Sequence, residues 1–287
     1  MKYDVLVGHV KMKKEAQRRD IVKILVCPNQ ESSWDTIWKW EWFSRDFWKP
    51  IKREENMDGV LALHSHLSKL GIKSILDCSC GLGFKTILLA ELGYEVEGSD
   101  ASAIAVRYAP QLAKEEGLNI GFFRSRWEEL GEEYKRKFDC VFSDAFDWIT
   151  KRESLLASAK GIYSVLKKNG IFVFGVPIAN SKNTKRELKK IMNKVWEKQG
   201  RFEILPPYER NGTKLTVVMV YDRVSDGIFE NRIHLIEEKG HTRAEIAFMM
   251  DFYKWVWNDY TRVLREAGFR KVYGFEERGI GQNVAVK

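Results

Sequence analysis

The stretch that most constrains the fold is residues 74–100, which read SILDCSCGLGFKTILLAELGYEVEGSD. An apolar run leads into Asp77 and a small-residue turn that contains Gly81 and Gly83. A pattern with helical spacing follows, and then a second strand that ends on Asp100. A strand, glycine turn, helix, strand and acid in this order form the unit that binds a nucleoside-containing cofactor at the carboxyl ends of parallel strands.

The spacing of the turn excludes two other phosphate-binding motifs. A Walker loop requires G-x-x-x-x-G-K-[ST], whereas Lys85 and Thr86 follow Gly83 by two and three positions and the earlier glycine is missing. The dinucleotide fingerprint G-x-G-x-x-G needs a third glycine where Thr86 stands. What remains is D-x-x-x-G-x-G, with an acidic residue closing the next strand.

This pattern resembles motif I of the class I S-adenosylmethionine (SAM)-dependent methyltransferases. Within that class the chain is similar to the glycine/sarcosine and amino-sugar small-molecule N-methyltransferases. The resemblance implies an α/β, Rossmann-like fold with helices on both faces of a seven-stranded sheet in the order 3-2-1-4-5-7-6, the seventh strand antiparallel. It also implies an antiparallel lid inserted after strand 5, with SAM as methyl donor and S-adenosylhomocysteine as product.

The resemblance places the methionine part of SAM against Gly81 and Gly83 and assigns the ribose hydroxyls to Asp100. By spacing alone, Arg53 matches the arginine that pairs with the SAM carboxylate in glycine-type enzymes; the alternative is a surface arginine. Trp127 follows the third strand, where it either stacks on adenine or caps the core. The predicted cofactor-binding residues are Arg53, Asp77, Cys78, Ser79, Gly81, Gly83, Asp100, Ala101, Arg126, Trp127 and Ser143.

The methyl acceptor is expected at the end of the fourth strand, residues 138–142, which leads into Ser-Asp-Ala-Phe-Asp-Trp. Enzymes that methylate nucleic-acid amino groups have [NDS]-P-P-[YF] here, and both prolines are missing from this chain. Asp144 is therefore predicted to hold an ammonium before its deprotonation, with Tyr253 as the second candidate catalytic residue. Asp147 is interpreted as a candidate cap of the next helix, predicted over residues 151–168.

Half of the ten tryptophans lie in residues 34–48. Their spacing predicts a helix capped by Ser33 and ended by Pro50, with an aromatic stripe on one side. This stripe either packs on the cofactor fold or lines the site as a wall for a cationic amine. The predicted substrate-binding residues are Trp38, Trp42, Phe146, Tyr208, Tyr221 and Arg223.

The chain divides into four predicted regions. These are an N-terminal extension with the aromatic helix (1–52), a SAM-binding core (53–177), an inserted helix and antiparallel lid (178–240), and a C-terminal helix with the last two strands (241–287). The apolar segments at 5–7 and 21–26 form either a hairpin outside the main sheet or an oligomer arm. Residues 214–222 and 228–237 read as a hairpin, residues 202–205 as another strand, and residues 251–267 as the last helix.

Bulk properties limit the partners. At 287 residues the chain suits one enlarged domain, it has no apolar run long enough to span a bilayer, and a cytoplasmic location is expected. The cysteine pair Cys78 and Cys80 lacks a second pair at ligand spacing, so no metal is expected. The net charge of +8 permits a nucleic-acid partner, but the basic residues of 182–198 read as the solvated face of an amphipathic helix.

The favoured function is methyl transfer to an amine nitrogen of a small molecule, either an amino acid or a related metabolite. Glycine itself is in doubt, because Gly175-Val176-Pro177 stands where the glycine enzymes have a carboxylate-binding arginine. The alternatives are methylation of RNA or protein, O- or S-methylation of a small metabolite, and SAM binding without catalysis. Self-association through the N-terminal extension or the lid is a further expectation.

Overall fold

The computed structural model describes residues 23–175, 184–225 and 227–287. Within them the strands are β1 (Lys23–Val26), β2 (Ser74–Asp77), β3 (Glu95–Asp100), β4 (Gly121–Arg124), β5 (Phe138–Ser143), β6 (Leu166–Phe174), β7 (Phe202–Ile204), β8 (Tyr208–Arg210), β9 (Thr213–Val224), β10 (Gly227–Glu238), β11 (His241–Phe252), β12 (Lys271–Glu277) and β13 (Ile280–Val286). The helices are α1 (Gln30–Phe43), α2 (Arg45–Lys69), α3 (Phe84–Glu91), α4 (Ala103–Glu115), α5 (Leu130–Glu133), α6 (Arg152–Val165), α7 (Lys185–Lys198) and α8 (Trp257–Glu266).

Seven strands form the main sheet, in the order β4-β3-β2-β5-β6-β13-β12. Counted along the chain, these strands have the predicted order 3-2-1-4-5-7-6. Strands β2 to β6 are parallel, and β13 runs antiparallel to both β6 and β12. The expected class I arrangement is confirmed, and it brings the carboxyl ends of β2, β3 and β5 to one edge of the sheet.

The central strands are buried on both faces, as their continuous apolar sequences predict. In β2, the adjacent residues Ile75 and Leu76 are fully buried in different clusters, because successive side chains of a strand point to opposite faces. Leu76 packs with Ile162 of α6 and with α8, whereas Ile75 packs with Leu67 of α2 and with α3. The sheet therefore carries helices on both sides.

Two predicted helix ends near the N terminus are wrong. Asn29, not Ser33, caps α1, because its side chain accepts a hydrogen bond from the Ser32 N–H at 2.9 Å. Ser33 lies inside the helix, where its hydroxyl accepts a hydrogen bond from the backbone of β11. Pro50 does not end the aromatic helix: the break falls at Ser44, and Pro50 lies in the second turn of α2, where its ring removes a single helical N–H donor.

The helix predicted over residues 151–168 is also too long. It ends at Val165, and Leu166 already pairs with Phe138 of β5. The Lys167 ammonium forms an ion pair with Asp139, and Asn169 adopts a positive φ of 64° at an irregularity in the strand. Pairing with β5 therefore extends β6 at the expense of the last helical turn.

A second sheet has the order β1-β11-β10-β9-β7, and β8 pairs separately with β9. The predicted antiparallel strands after the fifth core strand are confirmed. Two predictions for the following segment are wrong. Residues 241–252, predicted to belong to the C-terminal region, form β11 of this second sheet. The last helix, predicted from residue 251, begins at Trp257 as α8. The apolar segment near residue 24 forms β1, the edge strand parallel to β11.

One face of the second sheet packs on α1, and we call it the inner face. Its residues on β9 include Leu215, Val217 and Met219, which pack around Trp40 of α1. On β10, Arg232 of the same face forms an ion pair with Glu41 of α1 at 3.1 Å. The aromatic helix thus lies between the inserted sheet and the core.

The basic helix α7 has the predicted amphipathic character. Leu188 and Met192 are buried and the lysines are exposed. No helix in the described ranges is both long and apolar enough to cross a membrane. The apolar segment at 5–7, Pro177 and the center of the predicted turn at Asp226 lie outside the described residues.

Candidate functional site

The glycine turn between β2 and α3 has the backbone that its sequence requires. Gly81 and Gly83 adopt φ values of 52° and 87°, a left-handed conformation that favours glycine. A Cβ atom on Gly81 would lie 2.8 Å from the Trp38 indole. The turn therefore needs glycine for two reasons, its dihedral angles and the close approach of α1.

Asp100, at the end of β3, is fixed by the backbone of this turn. Its carboxylate accepts hydrogen bonds from the N–H groups of Gly81 and Ser102, both at 2.9 Å. Burial raises its pKa, and the nearby charge of Asp35 acts in the same direction. A carboxylate oxygen accepts more than one hydrogen bond, so Asp100 retains capacity for ribose hydroxyls. Ala101 follows it, and its carbonyl accepts from Arg124 at 3.1 Å.

Asp77 holds the other side of the turn. Its carboxylate accepts from the Thr86 hydroxyl at 2.8 Å and from the Ser79 N–H at 3.3 Å. Complete burial raises its pKa to about 6. The Ser79 and Ser143 hydroxyls lie 3.0 Å apart, which joins the end of β2 to the end of β5.

Cys78 and Cys80 are buried, and burial raises the pKa of both thiols. The Cys78 thiol donates to the Phe142 carbonyl. Both thiols are therefore neutral and take part in packing. The described ranges contain no group of three or more His, Cys, Asp or Glu side chains arranged to hold a metal.

Lys85, in the first turn of α3, forms an ion pair with Asp144 at the end of β5. The Asp144 carboxylate also lies beside Gly175, at the end of β6. Burial lowers the pKa of Lys85, although the charge of Asp77 opposes this shift. A cation and an anion therefore face each other across the gap between two strand ends.

Three tryptophans form a continuous stack beside these strand ends. Trp34 stacks on Trp38 with ring centres 5.3 Å apart and on Trp148 with ring centres 4.8 Å apart. Because Trp38 also covers Gly81, the stack runs from the cofactor turn to the segment after β5. Of the two predicted roles of the aromatic helix, packing on the core is observed directly. A role as a wall for a ligand stays a prediction.

Acidic and phenolic side chains gather next to this stack. Asp147 is partly buried, and its Oδ1 atom is buried without a hydrogen-bond partner in the described structure. Burial and the charge of Asp251 raise the pKa of Asp147 to about 7. Asp251 has a pKa raised by burial and by Glu230, and half-buried Tyr253 has a pKa raised by burial, Asp251 and Asp147. Asp147 is therefore a candidate site residue and does not cap α6, whose N-cap is Lys151.

The pairing of the second sheet explains this gathering. Tyr221 pairs directly with Glu230, and Asp251 pairs with Ile228, two residues along β10 from Glu230. Residues paired across strands point to the same face, so all three acidic or phenolic side chains lie on the inner face. Burial, followed by Glu230, raises the pKa of Tyr221 to about 12.

Three predicted cofactor residues make contacts within the protein. Arg53 forms a two-pronged ion pair with Glu91, the last residue of α3, at 2.7 and 2.9 Å, so it is held at the helix end opposite the glycine turn. Arg126 pairs with Glu31 at 2.6 Å on the surface. Trp127 donates to the Cys78 carbonyl at 2.6 Å and packs against the main core, which matches the capping alternative.

Four predicted substrate residues are also committed to other contacts. Phe146 is fully buried in the core, and Trp42 stacks on Tyr108 of α4. The Tyr208 hydroxyl donates to Asp46 at 3.2 Å, near the far end of α1, and Arg223 donates to Asn193 of α7. Of the predicted substrate set, Trp38 covers Gly81 of the cofactor turn and Tyr221 lies beside Glu230 on the inner face; their binding of substrate stays a prediction.

Sequence reasoning missed Lys85, Asp251 and Glu230 as site residues and misread Asp147. A count of carboxylates after the fourth strand would have found Asp147. The other acids become neighbours only through the pairing of β9, β10 and β11, and no local pattern marks it.

Comparison with known proteins agrees with this geometry. A family model described as a methyltransferase domain matches residues 72–268. A glycine/sarcosine N-methyltransferase of Aphanothece halophytica is 28% identical over 109 residues, which cover 37% of this chain and 41% of the relative. A ubiquinone biosynthesis O-methyltransferase of Histophilus somni is 27% identical over 153 residues, covering 51% and 62%. Each alignment therefore spans less than two thirds of the relative.

Among solved structures, the sugar N-methyltransferase KedS8 from a Streptoalloteichus species superposes with a TM-score of 0.57 at 15% identity, covering 98% of this chain and 99% of that one. DesVI of Streptomyces venezuelae also gives 0.57, at 16% identity, covering 82% and 91%. These likenesses show the fold. The chain belongs to the methyltransferase-domain family, and its fold is that of the class I SAM-dependent enzymes.

Proposed function

We propose that the protein transfers a methyl group from SAM to an amine nitrogen of a small molecule that reaches the site as an ammonium. SAM supplies an electrophilic methyl group on a sulfonium. The residues present fit this cofactor, because Asp100 has acceptor capacity for ribose and the glycine turn leaves peptide N–H groups at the start of α3. Family membership supports SAM as the methyl donor, and the new part of the proposal is that the acceptor is an amine.

The charge balance of the inner face carries this proposal. Four carboxylates lie in or next to the site: Glu41 and Glu230 are shielded from solvent, Asp147 is partly buried, and Asp251 is exposed. Arg232 pairs with Glu41 and Glu230, whereas Arg223, the other arginine of this face near Asp251, donates to Asn193. Buried anions are costly unless they are paired. A protonated amine would offset the surplus negative charge, and the neighbouring tryptophan stack offers aromatic faces to the same cation.

Asp147 is the proposed base. An ammonium must lose a proton before its nitrogen can attack the methyl group, and a general base works best when its pKa is near the working pH. Burial together with Asp251 brings the pKa of Asp147 to about 7. Tyr253, whose pKa responds to the same two acids, is proposed to orient the nitrogen. Asp144, the base predicted from sequence, forms an ion pair with Lys85, and we propose that it contributes negative charge to the acceptor side without removing the proton.

The relatives support a small-molecule acceptor and leave the acceptor atom open, because they include N- and O-methyltransferases. The acidic inner face favours nitrogen. It also disfavours nucleic acid as the acceptor, since a phosphate backbone would approach a surplus of carboxylates.

The test is a screen of matched acceptors with purified protein, reading release of S-adenosylhomocysteine. Each amine is paired with the alcohol of the same carbon skeleton. We expect turnover with amines, and we expect Asp147→Asn to reduce it without changing S-adenosylhomocysteine affinity. Asp46→Asn, a surface change beside Tyr208, is the matched control and keeps full turnover. Turnover confined to alcohols would refute the proposal for nitrogen while leaving SAM as donor intact.

A further inference from the structure

Lys85 occupies a place that the glycine-turn motif does not define. It lies two residues after Gly83, in the first turn of α3, and its ammonium reaches across to Asp144 at the end of β5. The Ser79 and Ser143 hydroxyls bridge the same two strand ends at 3.0 Å. Lys85 is thus the cation at the junction of β2, α3 and β5, beside the turn expected to receive the methionine part of SAM.

We propose that Lys85 is the residue that binds the carboxylate of the methionine part of SAM, and that this carboxylate competes with Asp144 for it. The inference rests on SAM as the donor and holds whatever the acceptor is.

Two observations favour Lys85 over the arginine selected from sequence. Arg53 is held by both carboxylate oxygens of Glu91, at the end of α3 opposite the turn. Lys85 is at the correct end of the helix, where unpaired N–H groups and the helix dipole also favour an anion. The other charged groups that act on Lys85 are Asp77, which is occupied by Thr86 and Ser79, and Lys52, which pairs with Glu55.

The ion pair with Asp144 explains how the partly buried Lys85 stays charged in the absence of the ligand. An ammonium in a low-dielectric site needs a counter-charge, and Asp144 provides one. When the SAM carboxylate takes this role, Asp144 becomes available to the acceptor. A single lysine would thereby couple cofactor binding to the acceptor side of the site.

The test measures binding by calorimetry with two probes, S-adenosylhomocysteine and S-adenosyl-3-thiopropylamine, which is the same molecule without its carboxylate. We expect Lys85→Met to weaken S-adenosylhomocysteine by about 10- to 100-fold, the range of one charge-assisted hydrogen bond. The same change should alter affinity for the decarboxylated probe by less than about threefold. Lys85→Arg should restore much of the loss.

Arg53→Met is the matched control, because it removes a cation from the competing position; we expect wild-type affinity for both probes. Asp144→Asn should bind S-adenosylhomocysteine as well as or better than wild type. Equal weakening of both probes by Lys85→Met would mean a structural role and overturn the proposal, as would unchanged affinity for both. Wild-type protein that binds neither probe would instead refute the SAM assignment itself.

Discussion

The proposed role of Asp147 as the base predicts how activity depends on pH, because its pKa of about 7 lies far above the ordinary value of 3.8. With this pKa, roughly one tenth of the carboxyl is ionised at pH 6 and roughly nine tenths at pH 8. If Asp147 is the base, kcat/KM for an amine should rise about tenfold from pH 5 to 6 and level off above 7. Asp147→Asn should remove this rise of kcat/KM with pH and lower kcat by about 10²- to 10⁴-fold.

The same pKa predicts a pH dependence of stability that needs no knowledge of the acceptor. Between pH 3.8 and about 7 the folded protein keeps a proton on Asp147 that the unfolded chain releases. The free energy of unfolding should therefore fall as pH rises through this window. Moving the pKa from 3.8 to about 7 corresponds to an upper bound of roughly 4 kcal/mol at pH 8. The Asp147→Asn variant lacks this pH-dependent contribution to the free energy of unfolding.

Urea unfolding of both proteins from pH 4.5 to 8.5 measures the difference directly. We expect the variant to gain stability relative to wild type as pH rises, whatever its offset at pH 4.5. Parallel stability curves would show that Asp147 titrates normally, and the argument for a base tuned by Asp251 would then fail. In the kinetic experiment, a rise of kcat/KM with an apparent pKa near 7 that persists in Asp147→Asn would show that another group is the base.

Three further predictions test the cofactor turn and the second sheet. Asp100→Ala should abolish detectable S-adenosylhomocysteine binding with an unchanged circular dichroism spectrum; unchanged affinity would contradict its role at the ribose. Gly81→Ala should lower the free energy of unfolding by about 1–3 kcal/mol more than Gly93→Ala in urea titrations, because both have positive φ but only the new Cβ at Gly81 would clash with Trp38. Val26 is 65% exposed on an apolar edge strand, so sedimentation should show self-association that Val26→Lys abolishes; a wild-type monomer would disprove this.

The cofactor turn was predictable because its determinants are local. A left-handed glycine, an acid at a strand end and a helix start are properties of neighbouring residues, and Gly81 and Asp100 both adopt the predicted arrangement. The order of the main sheet followed for a related reason. Alternating strands and helices leave few permitted right-handed topologies.

Sequence left alternatives open where distant segments compete for a side chain. Arg53 had the correct spacing, but Glu91 binds it with both oxygens. Trp127 was expected either to stack on adenine or to cap the core, and the hydrogen bond from its N–H to the Cys78 carbonyl at 2.6 Å fixes its ring next to the cofactor turn. Sequence spacing gives the helix on which a residue lies and cannot give which of several partners it meets.

Strand β11 was missed because charged residues on its packed face bind side chains of α1, so the strand lacks the usual alternation of apolar and polar residues. Its inner-face residues include Arg243 and Glu245, and Glu245 binds Lys39 and Trp40 of α1 at 2.8 to 3.1 Å. Charged residues are therefore on the packed face, which defeats the usual rule that apolar residues point inward. Because β11 was not predicted, the residues that Asp251 meets across the sheet could not be predicted either. The group of acids around Asp147 was therefore not recognisable from sequence.

Helix α1 connects the two halves of the site. On one side Trp38 closes over Gly81 of the cofactor turn, and on the other Glu41 is bound by Arg232 of the second sheet. A movement of α1 away from the turn would therefore have to carry the sheet bearing Glu230 with it, because breaking a buried ion pair leaves an unpaired charge at a cost of about 3–5 kcal/mol. Sequence left open whether the tryptophan-rich helix packs on the core or binds a ligand; its contacts link Glu230 and Asp251, the acids proposed to bind the acceptor, to the cofactor turn.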